Sequence, residues 1–315
     1  MTPTYEVLGF GAIAVDDLLY VEHYPPADAK MPVTDIVRQG GGLTATALVA
    51  VARLGGSAAY AGVLGDDEAS RYAIASLEEE GVDCSLVRHD PEARPVRAFI
   101  VIDTSTGTRN IFSDARRFVS REPEEMTQEL ISRCQVLFVD HRVARAAVAA
   151  ARHARRLGIP IVADVERLLS PEVPEMMALA DHLIVSQALA QEVTGFDDPG
   201  RGAEALARDG RAATVVTAGE AGSWYVQGRG PVAHQPAYCV DVVDTTGCGD
   251  VFHGAYAALL ARGADLPTCI RFASATAALK ATRPGGRTGI PDYAAVEAFL
   301  RSGPHPKQEN NDRRQ

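Results

Sequence analysis

No run in this 315-residue sequence is long and apolar enough to span a bilayer, so no membrane-crossing helix is expected. Positive charge is in deficit: 31 Lys and Arg against 41 Asp and Glu leave a formal −10, which argues against nucleic acid as the main partner. A local basic pocket for a small anion is compatible with that balance. Cysteine is sparse, odd in number and scattered (Cys84, Cys134, Cys239, Cys248, Cys269), without a Cys-x-x-Cys pair. Such spacing offers neither a zinc site nor a disulfide framework, and predicts a reduced, cytoplasmic protein. The N-terminal MTPTYEVLGFG runs straight into a strand, so no signal peptide is expected. Internal repeats and low-complexity linkers are missing. So is any G-x-x-x-x-G-K-[ST] string, which means that a nucleotide, if bound, is not held by a P-loop.

What remains is an ordinary globular balance, 46% apolar and 23% charged, enough for one large α/β domain or one domain with an appendage. Residues 1–303 are expected to form it, and 304–315 (PHPKQENNDRRQ) to be a polar, disordered tail. Residues 6–15 read as one buried strand. Its Gly9-x-Gly11-x-x-Ala14 echoes a dinucleotide fingerprint, but a second β-like run follows where the fingerprint requires a helix. Gln39-Gly40-Gly41-Gly42 introduces a small-residue helix, and three glycines before a helix offer bare N–H donors to a ligand. Asp66 is expected to cap the helix after it. Segments 96–103 and 108–113 read as strands and, with 18–37, predict a small separate sheet. From Gln135 onward strands alternate with helices, which implies right-handed crossovers and a mainly parallel sheet covered on both faces. Two helices, over 266–283 and 292–301, close the chain.

The stretch from Val240 to Leu260, VDVVDTTGCGDVFHGAYAALL, is the most informative. Val240, Val242 and Val243 read as a strand, and helical spacing begins at about Cys248. A glycine-rich turn opening a helix points several unpaired N–H groups one way, and with the helix dipole these suit phosphate oxygens. Asp250 then sits in the first turn, beside an anion site. A carboxylate is an odd choice for phosphate binding alone and a sensible one where a hydroxyl must lose its proton. Acids also favour the first turn of any helix, so a bare G-x-G-D supports either reading.

The full string Asp244-Thr-Thr-Gly-Cys-Gly-Asp250-Val-Phe resembles the C-terminal signature of the ribokinase/PfkB family of carbohydrate kinases. Gly41-Gly42 with Ala52-Arg-Leu-Gly-Gly and Val63-Leu-Gly-Asp-Asp-Glu resembles the N-terminal signature. The likeness runs from Gly9 to about Asp292, and within the family it looks most like the sulfofructose kinase branch, Thr46 and the R-P-G-G-R-T-G run included. The resemblance implies a three-layer α/β sandwich with a small β-sheet lid, its segments at about 16–40 and 95–116, and a homodimer formed through that lid. It implies an ATP-dependent kinase in which Asp250 is the catalytic base and the Gly247, Cys248 and Gly249 N–H groups form the anion hole. Cys248 stands where alanine is usual.

Several further roles follow from the resemblance alone. Asp16 would bond sugar hydroxyls, with Gly41, Gly42 and Thr46 at the same site; read by itself, Asp16 is equally a loop acid. Lys30 and Arg142 would receive an acidic group, with Ser113 in place of a helping asparagine. Solvated or carboxylate-paired cations are the alternative. Thr217, Gly219 and Gly222 would touch ATP. Ser186 opens the place of the family's N-x-x-E element, whose acid is missing, so Mg2+ is expected on ATP phosphates and water rather than on a side chain. Asp244 and Thr246 would hold a monovalent cation such as K+. The substrate implied is a ketohexose or acid-substituted ketohexose, sulfofructose-like or fructose 6-phosphate-like. Alternatives are a neutral sugar, a nucleoside, or a non-catalytic sensor, which would be expected to lose Asp250.

Overall fold

The computed structural model describes residues 3–106 and 108–303; the tail expected over 304–315 lies outside them, as does Gly107 in the turn between two lid strands. Runs of β-branched and apolar residues give the strands of an eight-stranded sheet. Its order is β14 (Val232–Gln235), β13 (Ser223–Gln227), β12 (Ala213–Thr217), β11 (His182–Ser186), β10 (Ile161–Val165), β9 (Cys134–Asp140), β1 (Tyr5–Phe10) and β4 (Ala58–Tyr60). The strands from β4 to β12 are parallel, and β13 and β14 turn back antiparallel at the edge. Successive strand residues point to opposite faces. Val136, Val162 and Ile184 therefore enter one core with helices α1 (Leu43–Arg53), α2 (Glu68–Glu78), α8 (Cys248–Ala261), α9 (Leu266–Ala281) and α10 (Tyr293–Arg301). Leu137, Ala163 and Leu183 enter the other with α3 (Gln128–Ile131), α4 (Ala144–Leu157), α5 (Val173–Leu179), α6 (Gln187–Thr194) and α7 (Pro199–Leu206). This is the expected three-layer sandwich. Among the described residues no helix is long and apolar enough to cross a membrane, and all five cysteines are free.

The second sheet is the lid: β3 (Asp35–Gly41), β2 (Ala14–Val21), β7 (Val96–Asp103) and β8 (Arg109–Asp114). The stretch 6–15 is thus two strands rather than the single one expected. The chain turns at Gly11, where a Cβ would run into the Thr44 and Asp140 side chains. Asp140 holds the bend by accepting the Ala12 N–H at 2.5 Å and the Thr44 hydroxyl at 2.8 Å. A short pair, β5 (Val63–Leu64) with β6 (Arg88–His89), lies beside it. On one lid face Asp17 bonds Arg38 (2.7 Å) and Arg97 (2.5 Å), and Arg38 reaches Glu68 of α2 at 2.6 Å, tying the lid to the body.

Two further expectations change. Val240–Val243 is not a strand: Val242 and Val243 are 62% and 61% exposed, and the Val243 and Asp244 N–H groups donate to the Ala281 carbonyl. The sheet ends at β14, so β-like composition finds no strand edge to pair with and the segment is strapped to the end of α9 instead. The cap of α2 is Asp67, which accepts from the Ser70 N–H at 3.0 Å, whereas Asp66 pairs with His89 at 2.7 Å.

Helices α1 and α8 cross so closely that a Cβ on Gly254 would meet the Ala47 carbonyl oxygen. Backbone there cannot give way, so Gly254→Val is expected to lower the unfolding free energy by roughly 3 kcal/mol or more, at the upper end of overpacking costs. Denaturant melts of both proteins check it, and an unchanged midpoint would mean that the crossing is loose.

Candidate active site

Helix α8 begins where the sequence placed it. Its N-cap, Gly247, has φ 73°, and a Cβ there would press on the Gly286 carbonyl, so this turn requires glycine. A Cβ on Gly249, by contrast, meets no protein atom. The Cys248 N–H donates to the Thr245 carbonyl at 3.2 Å. The expected trio of donors is therefore altered: among the described residues Gly247, Gly249 and Asp250 keep backbone N–H groups without a backbone acceptor, while that of Cys248 is spent inside the turn. The Cys248 thiol faces the Ala277 carbonyl at 3.6 Å.

Asp250 is half-buried in the first turn of α8, and the protein around it, followed by the charges of Glu166 and Asp140, pushes its carboxyl up to about 8. Arg287 opposes that shift. Asp16, on β2, is pushed up to about 6 by burial, again against Arg287. Arg287 itself is buried and donates to the Gly41 carbonyl (2.9 Å), the Thr46 hydroxyl (3.3 Å) and the Ser76 hydroxyl (3.4 Å). Burial pulls its guanidinium down to about 10. Asp16, Gly41, Thr46 and Asp250 thus converge around one buried arginine. Gly41 leaves room for Asp16, since its Cβ would strike that carboxylate, and Gly42 turns into α1 with φ 93°.

The lid's register carries this further. Gln39, Asp16, Ala98 and Ser113 are cross-strand partners and share one face. That face is the inner one, because Gln39 accepts the Gly286 N–H at 3.1 Å. The other proposed substrate cations are placed differently. Arg142 is half-buried just after β9, and among the described residues no carboxylate pairs with its side chain; Asp140 accepts only its backbone N–H, at 2.9 Å. Lys30 is exposed in the connection between β2 and β3, away from the strand residues that form the Asp16 row.

A cleft of about 370 Å3, mostly apolar, runs from the β12–β13 turn to the start of α8. Thr217, Gly219, Gly222, Cys248 and Gly249 line it, with Ala277 on the far wall. Ser186 does not; it caps α6 by accepting the Leu189 N–H at 3.3 Å. The cleft suits a nucleoside whose phosphates reach the open N–H groups of α8. No three His, Cys, Asp or Glu among the described residues converge to coordinate a metal. Beneath the site, however, Asp164 is buried, its Oδ2 has no partner, and burial raises its carboxyl well above the usual range. His253 lies 3.5 Å away and meets the Gly249 carbonyl at 2.7 Å. One neutral-leaning carboxylate and one imidazole do not make a metal site, so Mg2+ would be held by ATP phosphates and water. Asp164 and Arg287 meet Asp250 through contacts that local spacing does not show, whereas His253, three residues after Asp250 on α8, carried a helical-spacing signal that the sequence reading left unused.

A sheet lid over a buried acid beside a nucleotide-sized cleft is the layout of a small-molecule kinase, and comparison with known proteins agrees. The chain belongs to the pfkB family of carbohydrate kinases, whose model matches residues 6–293. It is 30% identical to an aminoimidazole riboside kinase of Salmonella typhimurium over 83% of this chain and 88% of that one. It is 29% identical to fructokinase-1 of rice (Oryza sativa) over 94% and 98%. An Escherichia coli structure solved with ATP and Mg2+ shares the fold, with a TM-score of 0.80 at 22% identity, covering 95% of this chain and 99% of its own.

The charge on Asp250 yields a prediction with a definite sign. Its carboxyl is raised in the folded protein, so folding favours the protonated form, and the stability it confers is lost as pH rises from about 4 to about 8. Asp250→Asn removes that loss. The ligand-free variant should melt above wild type by a margin that grows across this window, while turnover falls by ~10²–10⁴. Equal melting at all pH values, or activity near wild type, would contradict the arrangement described.

Proposed function

We propose that this ATP-dependent carbohydrate kinase phosphorylates a hydroxymethyl group of a ketohexose, with a preference for one bearing an acidic group. Asp250 takes the proton from the attacking hydroxyl as its oxygen bonds the γ-phosphorus of ATP, while the bond from that phosphorus to the β,γ-bridging oxygen breaks and ADP leaves. Open N–H groups of Gly247 and Gly249 hold the transferring phosphoryl, and Asp16 with the Gly41–Thr46 turn orients the sugar. Mg2+, when bound with ATP, neutralises phosphate charge. The observation that supports the base is Asp250 itself, a half-buried carboxylate raised to about 8 beside the donors of α8.

For the acid-bearing sugar the support is Arg142, half-buried with no carboxylate partner among the described residues. A second reading, a nucleoside substrate, is favoured by the next row of the lid's inner face, which is apolar and whose Val37 and Ile111 are exposed to a heterocycle. Charge-assisted contacts are worth roughly 1.5–3 kcal/mol, or about 10- to 150-fold in kcat/KM. Wild type should therefore prefer sulfofructose or fructose 6-phosphate over fructose and aminoimidazole riboside, and Arg142→Met should erase that margin. ADP release measured over the panel decides. Best turnover on a riboside or a neutral ketose, unchanged in Arg142→Met, would reject the anion pocket.

We also propose a homodimer through the outer lid face, where Ile36, Phe99 and Phe112 stand exposed together. Phe112→Asp should elute as a monomer from a sizing column at a concentration where wild type elutes as a dimer; a monomeric wild type would remove the proposal.

A further inference from the structure

Asp244 and Thr246 were expected to hold a monovalent cation, and the geometry around them does not fit one. Each oxygen of the Asp244 carboxylate already accepts a backbone N–H, that of Thr246 at 2.8 Å and that of Gly285 at 2.8 Å. Its carbonyl oxygen is taken as well: the Lys280 Nζ donates to it at 2.9 Å. Lys280 sits in the last turn of α9 with 0% of its surface exposed. It lies one turn beyond Ala277, whose carbonyl faces the Cys248 thiol. The groups whose charge acts on Lys280 are Cys248, Asp244 and Asp250 on the side of α8, with Arg109 of the lid opposing them. Burial pulls the ammonium below its usual range, yet the neighbouring acids hold it up.

The residue type matters. The chain holds three lysines, Lys30, Lys280 and Lys307, among 31 basic residues. In a sequence that uses arginine nearly everywhere, the buried cation beneath the phosphate-binding turn is a lysine. A guanidinium is a flat fork, whereas an ammonium is a compact point charge able to take oxygens from several directions. A second cation at the same carbonyl would repel this one strongly in so dry a place.

We propose that the Lys280 ammonium serves as the resident monovalent cation of this kinase, tethered under the turn that opens α8, so that phosphoryl transfer needs no added K+. The role is one of positioning: Lys280 fixes the Asp244 carbonyl, and with it the Gly247–Asp250 donors, and contributes positive potential below them. This holds whichever sugar is the acceptor, because it concerns the turn and the nucleotide side alone.

The test compares KCl, NaCl and tetramethylammonium chloride at equal ionic strength, reading both ADP release with the best acceptor and the melting temperature with Mg·ATP. Wild type is expected to show the same rate and melting point in all three salts. Lys280→Ala, which opens a cavity of ammonium size, is expected to lose on the order of 10²-fold in kcat in tetramethylammonium. K+ or methylammonium should restore it saturably and raise its melting point. Activation of wild type by K+ of an order of magnitude, or a K+-induced rise in its melting point, would overturn the proposal. So would a folded Lys280→Ala that is fully active without small cations, or one whose loss no cation restores. If Lys280→Ala does not fold, the wild-type salt series decides alone, because its melting arm requires no acceptor at all.

Discussion

Carboxylates that repel one another, gathered at the C-terminal edge of the central sheet, are the constraint on which the surrounding structure depends. Asp140 ends β9, Asp164 lies near the end of β10, Asp250 opens α8, and Asp16 reaches in from the lid. Charged groups in so little water are costly unless paired or neutralised. Each acid meets that cost differently. Asp140 spends its oxygens on the Ala12 N–H, the Thr44 hydroxyl and the Arg142 N–H, and thereby fixes the bend from body to lid. Asp164 is driven toward the neutral acid. Asp16 and Asp250 lean on Arg287, and Arg287 is held by three oxygens that belong to β3, α1 and α2.

That arrangement makes the site a meeting of distant stretches. Residues 39–46 and 285–287 touch through Gln39, Thr46 and Gly41, and Arg53 anchors the same C-terminal loop by donating to the Arg287 carbonyl at 2.8 Å. The loop is pinned again through Gly285 to Asp244. A rigid turn at Gly247 then needs no support of its own; it rests on Gly286 and on α9. Precise placement of N–H donors costs nothing at the moment of reaction when the frame is already fixed.

Much of this was legible in the sequence, and the exceptions have a common cause. Periodicity placed β9, α4, β10 and β12, because each is buried on both faces or amphipathic in its own right. It failed at Val240–Val243, where strand composition lacks a strand to pair with. It failed at Gly11, where the bend is set by Asp140, more than a hundred residues away. Motif spacing found Gly247–Asp250 because one turn carries the whole element. Arg287 and Lys280 went unassigned because their meaning lies in what they touch, Gly41 and Asp244, and neither contact leaves a local pattern.

The choice of substrate rests on the same distinction between local and assembled features. On the inner lid face one row is polar, with Gln39, Asp16 and Ser113, and the next is apolar, with Val37, Leu18, Ile100 and Ile111. A strand alternates faces with period two, so these rows are fixed by register and no single substitution in the lid can exchange them. The polar row is suited to hydroxyls and holds no cation. The cation we propose for an acidic acceptor therefore lies outside the lid, at the end of β9, where Arg142 is placed by the turn that Asp140 caps. Lys30, exposed on the connection between two lid strands, has no such frame, and a long charged side chain without one loses in entropy much of what it gains in attraction. Of the two cations proposed, Arg142 is therefore the better framed for that role.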